Sequence, residues 1–300
     1  MFKRETTVHH SSVQRLPEWM RKKVLFSADV LRMKQMLRKH KLHTVCQSAG
    51  CPNLSTCFEK HTATFLILGN ICTRHCRFCG VTQGNPMVVD RTEPLHVAEA
   101  VSLLELKHVV ITSVTRDDLQ DGGASHFTDT VRAVKERNPE STIELLIPDF
   151  QGSETALRTV LDCGIDVINH NVETVPRLYP EIRPEAVFQR SLRILEFAGT
   201  YRTSIMVKTG LMLGLGETPS EVEQVLHLLS DISCDALTIG QYLRPEIGKI
   251  PVREYIHPEL FRRYENYARS LGIPYVKAGP FVRSSFQADE MIKKFQGASL

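Results

Sequence analysis

The segments TFLILG at residues 64–69 and CTRHCRFC at residues 72–79 decide how this chain folds. The first is short, apolar and ended by a glycine, a pattern that predicts a buried strand. The second places three thiols, Cys72, Cys76 and Cys79, on the loop where that strand ends. Three thiolates can bind three irons of a cubane iron–sulfur cluster, whose usual ligand set is four cysteines. The pattern therefore predicts a cluster with one iron left open for another ligand.

Two other uses of these thiols fit the pattern less well. A zinc ion could take the three cysteines and His75, but structural zinc ligands typically come as two separated pairs. Disulfides are typical of small, cysteine-dense secreted domains, whereas this chain has 300 residues and 8 cysteines, and we expect no secretory leader before them. We therefore favour the iron–sulfur cluster.

A second group of thiols lies upstream, in CQSAGCPNLSTC at residues 46–57. Four and then five residues separate Cys46, Cys51 and Cys57. The glycine, proline, asparagine and serine residues between them predict a loop, and a loop can wrap around a compact ligand. The spacing indicates a second metal cluster, with free structural thiols as the alternative. Cys163 and Cys234 fall in or beside helical patterns, where packing is the expected role.

The rest of the chain alternates short apolar segments with longer amphipathic ones. We predict strands at residues 65–68, 108–112, 142–147, 167–169, 204–208 and 236–239. We predict helices between them at residues 94–106, 124–138, 154–163, 184–198 and 220–232. Six strands alternating with helices predict an α/β fold with a parallel sheet, and their spacing suits a partial (β/α)6 barrel of the TIM type.

The barrel prediction brings the polar segments together, because chemistry in such barrels collects at the carboxyl ends of the strands. These segments follow the six strands in turn, at residues 72–79, 113–118, 148–150, 169–173, 209–212 and 241–245. A helix at 258–271 and a strand-like segment at 275–277 then lead to Ser284 and Ser285. We predict an N-terminal extension (1–60), a barrel core (61–245) and a C-terminal extension (246–300), with the two extensions closing the barrel mouth.

Composition and charge indicate an ordinary globular chain, 42% hydrophobic and 24% charged. A net charge of +3 is too small to indicate a nucleic-acid partner, and it permits an acidic protein partner. We find no run of about 18 apolar residues, so no membrane span is predicted. Residues 1–23 lack the apolar segment of a secretory signal, with a short arginine-bearing targeting peptide as the alternative. Cysteines without an export signal indicate a reducing compartment, and we expect the cytoplasm.

The spacing of the thiols at 72–79 resembles that of the radical S-adenosylmethionine superfamily. The resemblance implies that Cys72, Cys76 and Cys79 bind a 4Fe–4S cluster whose open iron is chelated by the amino and carboxylate groups of S-adenosylmethionine. Electron transfer from that cluster would cleave the sulfonium to a 5′-deoxyadenosyl radical. Phe78 would be the apolar residue near the adenine, and a core aromatic is a compatible alternative.

The two thiol groups together resemble lipoyl synthase. Further stretches agree with that family: CPN at 51–53, TATF at 62–65, SVTRDDL at 113–119, DGGA at 121–124, NHNVET at 169–174 and GPFVRSS at 279–285. The resemblance thus covers residues 45 to 288, most of the chain.

The lipoyl synthase resemblance implies ligands for both cofactors. Cys46, Cys51, Cys57 and a serine oxygen would bind a second 4Fe–4S cluster that is consumed to supply sulfur. We assign the serine to Ser285, with Ser284 as the alternative ligand and capping of the next helix as the alternative role. The family further implies four contacts to S-adenosylmethionine: Ser113, Asn171, Glu173 and Arg183. Helix capping and loop closure are the alternative roles of those four residues.

The implied reaction is the insertion of two sulfur atoms at C6 and C8 of an octanoyl chain carried on a lysine of a lipoyl carrier domain. An electron donor such as a flavodoxin or ferredoxin would be a second partner, and neither nucleic acid nor a membrane is expected. One alternative is another radical sulfur-inserting or methylthiolating enzyme, although the near-neutral charge argues against a nucleic-acid substrate. The other is an iron–sulfur electron carrier or scaffold without catalysis.

Overall fold

The computed structural model describes residues 16–21, 28–59, 62–201, 204–286 and 288–298. Its strands are β1 His43–Thr44, β2 Thr64–Ile67, β3 Ile71–Cys72, β4 Thr82–Gln83, β5 His108–Ser113, β6 Thr142–Leu146, β7 Val167–Asn169, β8 Met206–Leu213, β9 Ala236–Gln241 and β10 Tyr275–Gly279. Its helices are α1 Ala28–Lys39, α2 Val45–Ser48, α3 Leu54–Glu59, α4 Glu93–Leu103, α5 Ala124–Arg137, α6 Glu154–Leu161, α7 Tyr179–Ile182, α8 Phe188–Tyr201, α9 Pro219–Asp231, α10 Pro258–Ser270 and α11 Ala288–Ala298. Short 3₁₀ turns lie at Glu18–Met20, Phe150–Gly152 and Pro176–Leu178.

The main sheet has eight strands in the order β1-β2-β5-β6-β7-β8-β9-β10. The six strands from β2 to β9 are parallel and follow the chain, as the sequence predicts for a partial (β/α)6 barrel. The two edge strands lie in the segments predicted as extensions: β1 pairs antiparallel with β2, and β10 pairs parallel with β9. The sheet therefore remains open between the segments that carry the first and last predicted ligands.

The strands are buried on both faces because helices cover the outside of the sheet and side chains fill the inside. All four residues of β2 and all six residues of β9 are buried. At the amino ends of the strands, Met291 and Ile292 of α11 pack against Val167, Met206 and Ala236. The helix that follows the predicted serine ligand thus closes the end of the barrel opposite to the polar segments.

Three local predictions were wrong. The fifth strand was predicted at 204–208 with a loop at 209–212, but β8 continues to Leu213, because Gly210 and its neighbours pair with β9 along the whole segment. The helix predicted from residue 184 begins at Phe188 and is preceded by the separate short helix α7. Residues 46–57 were predicted as a loop, but Cys46 lies in α2 and Cys57 in α3. Thr44 starts α2 by accepting a hydrogen bond from the backbone N–H of Gln47.

Candidate active site at the open end of the barrel

A cavity of about 410 Å³ lies at the carboxyl ends of the parallel strands. All six predicted cluster cysteines line it, together with Ser284 and Ser285. Each of the six polar segments predicted to follow a strand also contributes lining residues. The structure therefore gathers the predicted site residues, which lie far apart in sequence, around one space.

The loop at 72–79 follows β2 and directs its thiols into this cavity. We call it the radical loop, because its cysteine spacing resembles that of the radical S-adenosylmethionine superfamily. Cys72 Sγ accepts hydrogen bonds from the backbone N–H groups of Thr115, at 3.3 Å, and Arg74, at 3.4 Å. Cys79 Sγ accepts one from Val81, at 3.5 Å. Hydrogen bonds to cysteine sulfur are one of the features that set the reduction potential of an iron–sulfur cluster.

The thiols of the radical loop are close enough to affect one another electrostatically. Burial raises the pKa of Cys76 to about 12 and that of Cys79 to about 11, and neighbouring thiols add to both increases. Arg183 opposes the increase at Cys76. Bound iron would reverse the protonation, because a thiol that coordinates a metal is deprotonated.

A cluster and a single metal ion place different demands on the positions of the thiols. In the described part of the chain, no group of three or more His, Cys, Asp or Glu side chains is arranged to hold one metal ion. A single zinc ion needs its ligands to converge at roughly 2.0 to 2.3 Å. The thiolates of a cubane instead bind different irons, so they surround a space rather than a point. All six cysteines line the cavity, which that second arrangement requires.

His75 does not contribute to this group. It lies outside the cavity lining with 64% of its side chain exposed, and its Nδ1 lies 2.9 Å from Oε1 of Glu185. The zinc alternative, which needs His75 as a fourth ligand, therefore has no support in the structure.

Arg74 anchors the radical loop to the next two strand ends. Its Nε donates to Asp117 at 2.6 Å, and its Nη2 donates to Asp149 at 2.6 Å. Asp149 also accepts from Arg190 at 3.0 Å. Burial alone would raise the pKa of Asp149, but the hydrogen bonds and charge of Arg74 hold that pKa well below its usual range. The loop is therefore held by a buried, ionised network.

Backbone hydrogen bonds hold the radical loop on its other sides. Thr73 N–H donates to Thr115 O at 3.1 Å, and Arg77 N–H donates to Ile182 O at 2.9 Å. Ile250 N–H donates to Arg77 O at 3.1 Å. Segments from three different parts of the barrel therefore fix this loop.

The second thiol group is assembled from both ends of the chain. Burial raises the pKa of Cys46 to about 12, and Cys51 and Cys57 contribute to the increase, so these thiols lie near one another. Asn53, between them in sequence, donates from its Nδ2 to Phe281 O at 2.7 Å across 228 residues of sequence. This bond brings the segment with Ser284 and Ser285 beside the early cysteines.

Ser285 lies three residues before α11, which begins at Ala288. Ser285 lies in the preceding turn and lines the cavity.

The four residues predicted to contact S-adenosylmethionine also line the cavity. Ser113 Oγ, Asn171 Oδ1 and Arg183 Nε are buried without a hydrogen-bond partner in the described structure. Such atoms are rare in native proteins and call for a ligand or water. Glu173 accepts from Asn171 Nδ2 at 3.1 Å, and burial raises its pKa. These unpaired atoms fit a polar ligand with both donors and acceptors.

Sequence reasoning missed the residues that orient Arg183. Its Nη1 donates to Tyr179 Oη at 3.2 Å and to Asn171 O at 3.1 Å. His170 lies beside this group and contacts Ser191 Oγ at 2.9 Å. Burial and, to a smaller extent, the charge of Arg183 lower the pKa of His170 to about 4, so the imidazole is neutral at pH 7. The motif at 169–174 contains His170. The motif alone does not show which of its residues lie beside Arg183.

The remaining cysteines and Phe78 agree with the expected packing roles. Cys234 is buried, and Cys163 Sγ contacts Val160 O at 3.0 Å. Phe78 is partly buried, packs against the core and lines the cavity, which is compatible with both roles considered for it.

The fold and the thiol-lined cavity define a radical S-adenosylmethionine enzyme. The family model of the radical SAM superfamily matches residues 66–229. Among solved structures, methylornithine synthase superposes with a TM-score of 0.51 at 14% identity, covering 92% of this chain and 90% of that one. At such low identity the similarity shows the fold alone.

The family follows from closer relatives. The model for the N-terminal domain of lipoyl synthase matches residues 1–51. Lipoyl synthase of Caldanaerobacter subterraneus subsp. tengcongensis is 54% identical, over 92% of this chain and 96% of the relative. Lipoyl synthase of Caldicellulosiruptor saccharolyticus is 51% identical, over 92% and 97%. The chain belongs to the lipoyl synthase family, radical enzymes that insert sulfur and use S-adenosylmethionine and 4Fe–4S clusters.

Within the described ranges, none of the helices combines the length and hydropathy needed to cross a bilayer.

Proposed function

We propose that this chain inserts sulfur at C6 and C8 of an octanoyl group attached to a lysine of a lipoyl carrier domain. The observation that carries the proposal is the single cavity lined by two sets of three cysteines and by the serines that follow β10. Radical formation and sulfur donation must act on the same carbon chain. A shared cavity meets that requirement, because a substrate arm inside it contacts both sets.

We assign Cys72, Cys76 and Cys79 to one 4Fe–4S cluster, and Cys46, Cys51, Cys57 and Ser285 to the other. When bound, the first cluster with S-adenosylmethionine supplies a radical that can take hydrogen from an unactivated C–H bond, and the second supplies sulfur. An oxygen ligand is a poor match for iron beside thiolates, so the corner at Ser285 is the weakest of that set.

The residues around the first site have distinct tasks in this assignment. Arg183 offers its unpaired Nε to the carboxylate of S-adenosylmethionine, and its position is fixed by Tyr179 and by the carbonyl of Asn171. Glu173, Asn171 Oδ1 and Ser113 Oγ offer acceptors for the amine and ribose hydroxyls. Phe78 covers the adenine side of the cavity.

The substrate is tethered to a protein, so a carrier domain must approach the cavity mouth. Arg244 lines the cavity, is exposed, and has no hydrogen bond or ion pair in the described structure. An acidic carrier surface would supply its partner, which the near-neutral net charge of +3 permits. We further propose a one-electron donor such as a flavodoxin or ferredoxin, and a cytoplasmic location.

The test is an anaerobic assay of reconstituted protein with an octanoylated carrier peptide, S-adenosylmethionine and a reductant. We expect iron and sulfide at about eight each per chain, from two cubanes. We also expect a peptide mass increased by two sulfurs and two molecules of 5′-deoxyadenosine per lipoyl group. Deoxyadenosine without sulfur gain, in protein carrying both clusters, would contradict the proposal.

The serine assignment is tested by a matched pair of variants. Ser285→Ala is expected to reduce sulfur insertion by at least roughly 10- to 100-fold, the loss that follows when a residue that merely supports a metal ligand is removed. Ser284→Ala, its neighbour in the same turn, is expected to retain most activity. The reverse order would assign the ligand to Ser284.

A further inference from the structure

The turn that connects β2 to the radical loop has an unusual backbone. Leu68 has φ of +66° and Gly69 has φ of +87°, so the chain passes through the left-handed region at two successive residues. Glycine adopts this region freely, but leucine does so rarely, because its Cβ approaches the neighbouring carbonyl. Leu68 lies four residues before Cys72, so its conformation sets the direction in which the thiols leave the sheet.

One buried side chain holds the N–H of Leu68, and a second buried side chain holds the first. Glu93 Oε2, in the first turn of α4, accepts from the Leu68 N–H at 2.7 Å. His126 Nε2, on α5, lies 2.8 Å from the same oxygen and donates to it, because a carboxylate only accepts. Glu93 is 6% exposed and His126 is 8% exposed. We call Glu93, His126 and Leu68 the turn clamp.

Two further contacts hold the other parts of Leu68. Arg116 Nη1 donates to the carbonyl of Leu68 at 3.5 Å. Gly123 packs so closely that a Cβ on it would lie 2.3 Å from Leu68 Cδ1. The amide, the carbonyl and the side chain of one strained residue are therefore each held by a different segment.

Neither Glu93 nor His126 lines the cavity, so a ligand bound there would be held by other residues. We propose that Glu93 and His126 are positioning residues, which keep Leu68 in the left-handed region and thereby hold Cys72, Cys76 and Cys79 in the geometry that lets the first cluster bind S-adenosylmethionine. The proposal rests on the cysteine assignment of the proposed function. It adds two positioning residues, one on α4 and one on α5.

The main test removes the acceptor with Glu93→Met, which keeps side-chain length and helix propensity. The readouts are the electron paramagnetic resonance spectrum of the reduced first cluster with and without S-adenosylmethionine, and the rate of 5′-deoxyadenosine formation. We expect a weaker ligand-induced spectral change and a rate lower on the order of 10²-fold, as a displacement of about 1 Å can cause. Glu93→Gln, which retains an acceptor oxygen, is expected to restore most of both signals.

A pair of second substitutions separates positioning from general stability. In the Glu93→Met background, Leu68→Gly and Leu68→Ala remove nearly the same side chain, but only glycine adopts a positive φ without help. We expect Gly to recover the spectral change and Ala not to recover it. Equal behaviour of the two would overturn the proposal. Should Glu93→Met not fold, the same pair is made with His126→Leu.

Glu217→Met is the matched control. Glu217 also accepts from backbone N–H groups of a turn, those of Gly214 and Leu215, but that turn follows β8 and not β2. We expect this variant to lose stability while keeping the spectral change, and a loss of that change would count against a role specific to the turn clamp. The readouts need no carrier and no sulfur transfer, so their failure is distinguishable from failure of the octanoyl assay.

Discussion

The radical loop and the second thiol group line the same cavity but are built in different ways. The radical loop is continuous, from Cys72 to Cys79, and buried ion pairs and backbone hydrogen bonds attach it to several strand ends. The second group joins a segment near one chain end to the turn near the other, across the open edge of the sheet. The first thiol group is therefore built into the barrel. The second depends on contact between two segments that are far apart in sequence.

This contrast suits the two proposed tasks. A site that forms a radical benefits from fixed geometry, because its reacting groups must stay aligned. A site whose cluster is consumed must be emptied and reloaded, and a site made of two separable segments can open without disturbing the barrel. The predictions below perturb one region at a time.

The largest effect is expected for Cys79→Ala. Loss of a thiolate from the first cluster should abolish 5′-deoxyadenosine formation and, with it, all sulfur insertion. Chromatographic measurement of deoxyadenosine in anaerobic assays checks this. Substantial deoxyadenosine from the variant would show that Cys79 is not a ligand of that cluster.

Cys51→Ala is the corresponding change in the second group. Sulfur insertion should be lost, while deoxyadenosine formation is expected to remain in part, because the radical loop and its contacts stay intact. Mass spectrometry of the carrier peptide and the same deoxyadenosine assay measure the two outcomes. If folded Cys51→Ala and Cys79→Ala behave alike, the division of labour between the regions is wrong.

Arg74→Met tests how strongly the radical loop is anchored. The change leaves the buried carboxylate of Asp149 with Arg190 as its remaining partner, so we expect a loss of about 3 kcal/mol, the lower end of the range for breaking a buried pair. Denaturant unfolding at pH 7 measures the loss. Arg132→Met is the control, because its partner Asp129 is more than half exposed and such pairs contribute about 1 kcal/mol or less.

The same pair predicts a pH dependence. The pKa of Asp149 is held below its usual range, so the pair stabilises the fold above the unfolded-state pKa of roughly 3.9 and loses that contribution as the pH falls through the lower folded-state pKa. The difference in stability between wild type and Arg74→Met should therefore shrink in acid. A difference that grew below pH ~4 would contradict the assignment of this carboxylate.

The smallest effect is expected for Asn53→Ala, which removes the hydrogen bond to Phe281 that joins the two extensions. The cost to global stability should be about 1 kcal/mol. Release of iron from the second cluster to a chelator should nevertheless become faster, with no change at the first cluster. If iron release became equally faster from both clusters, the contact between Asn53 and Phe281 would not act on the second cluster site alone.

Sequence patterns predicted well the features that depend on residues close together in the chain, namely the cysteine spacings and the central strands. The thiol spacings at 46–57 and 72–79 picked out the six cysteines that now line one cavity. Apolar periodicity located the six central strands but misplaced the end of β8. Gly210 interrupts the apolar pattern there, although the backbone continues to pair with β9. The sequence prediction failed also at Cys46 and Cys57, because the two short helices α2 and α3 contain or adjoin the same turn-forming residues as a loop.

The sequence by itself determined the cysteine spacings that predict metal clusters and the order of the central strands, because both follow from local spacing and from the alternation of apolar segments. Tertiary structure alone decided what holds those residues in place. Arg74 meets Asp149, and Glu93 meets His126 beside the strained Leu68, only after the strands have paired. Such contacts join charges and hydrogen-bond donors from distant segments, and no local pattern records which distant partner will lie within a few ångströms.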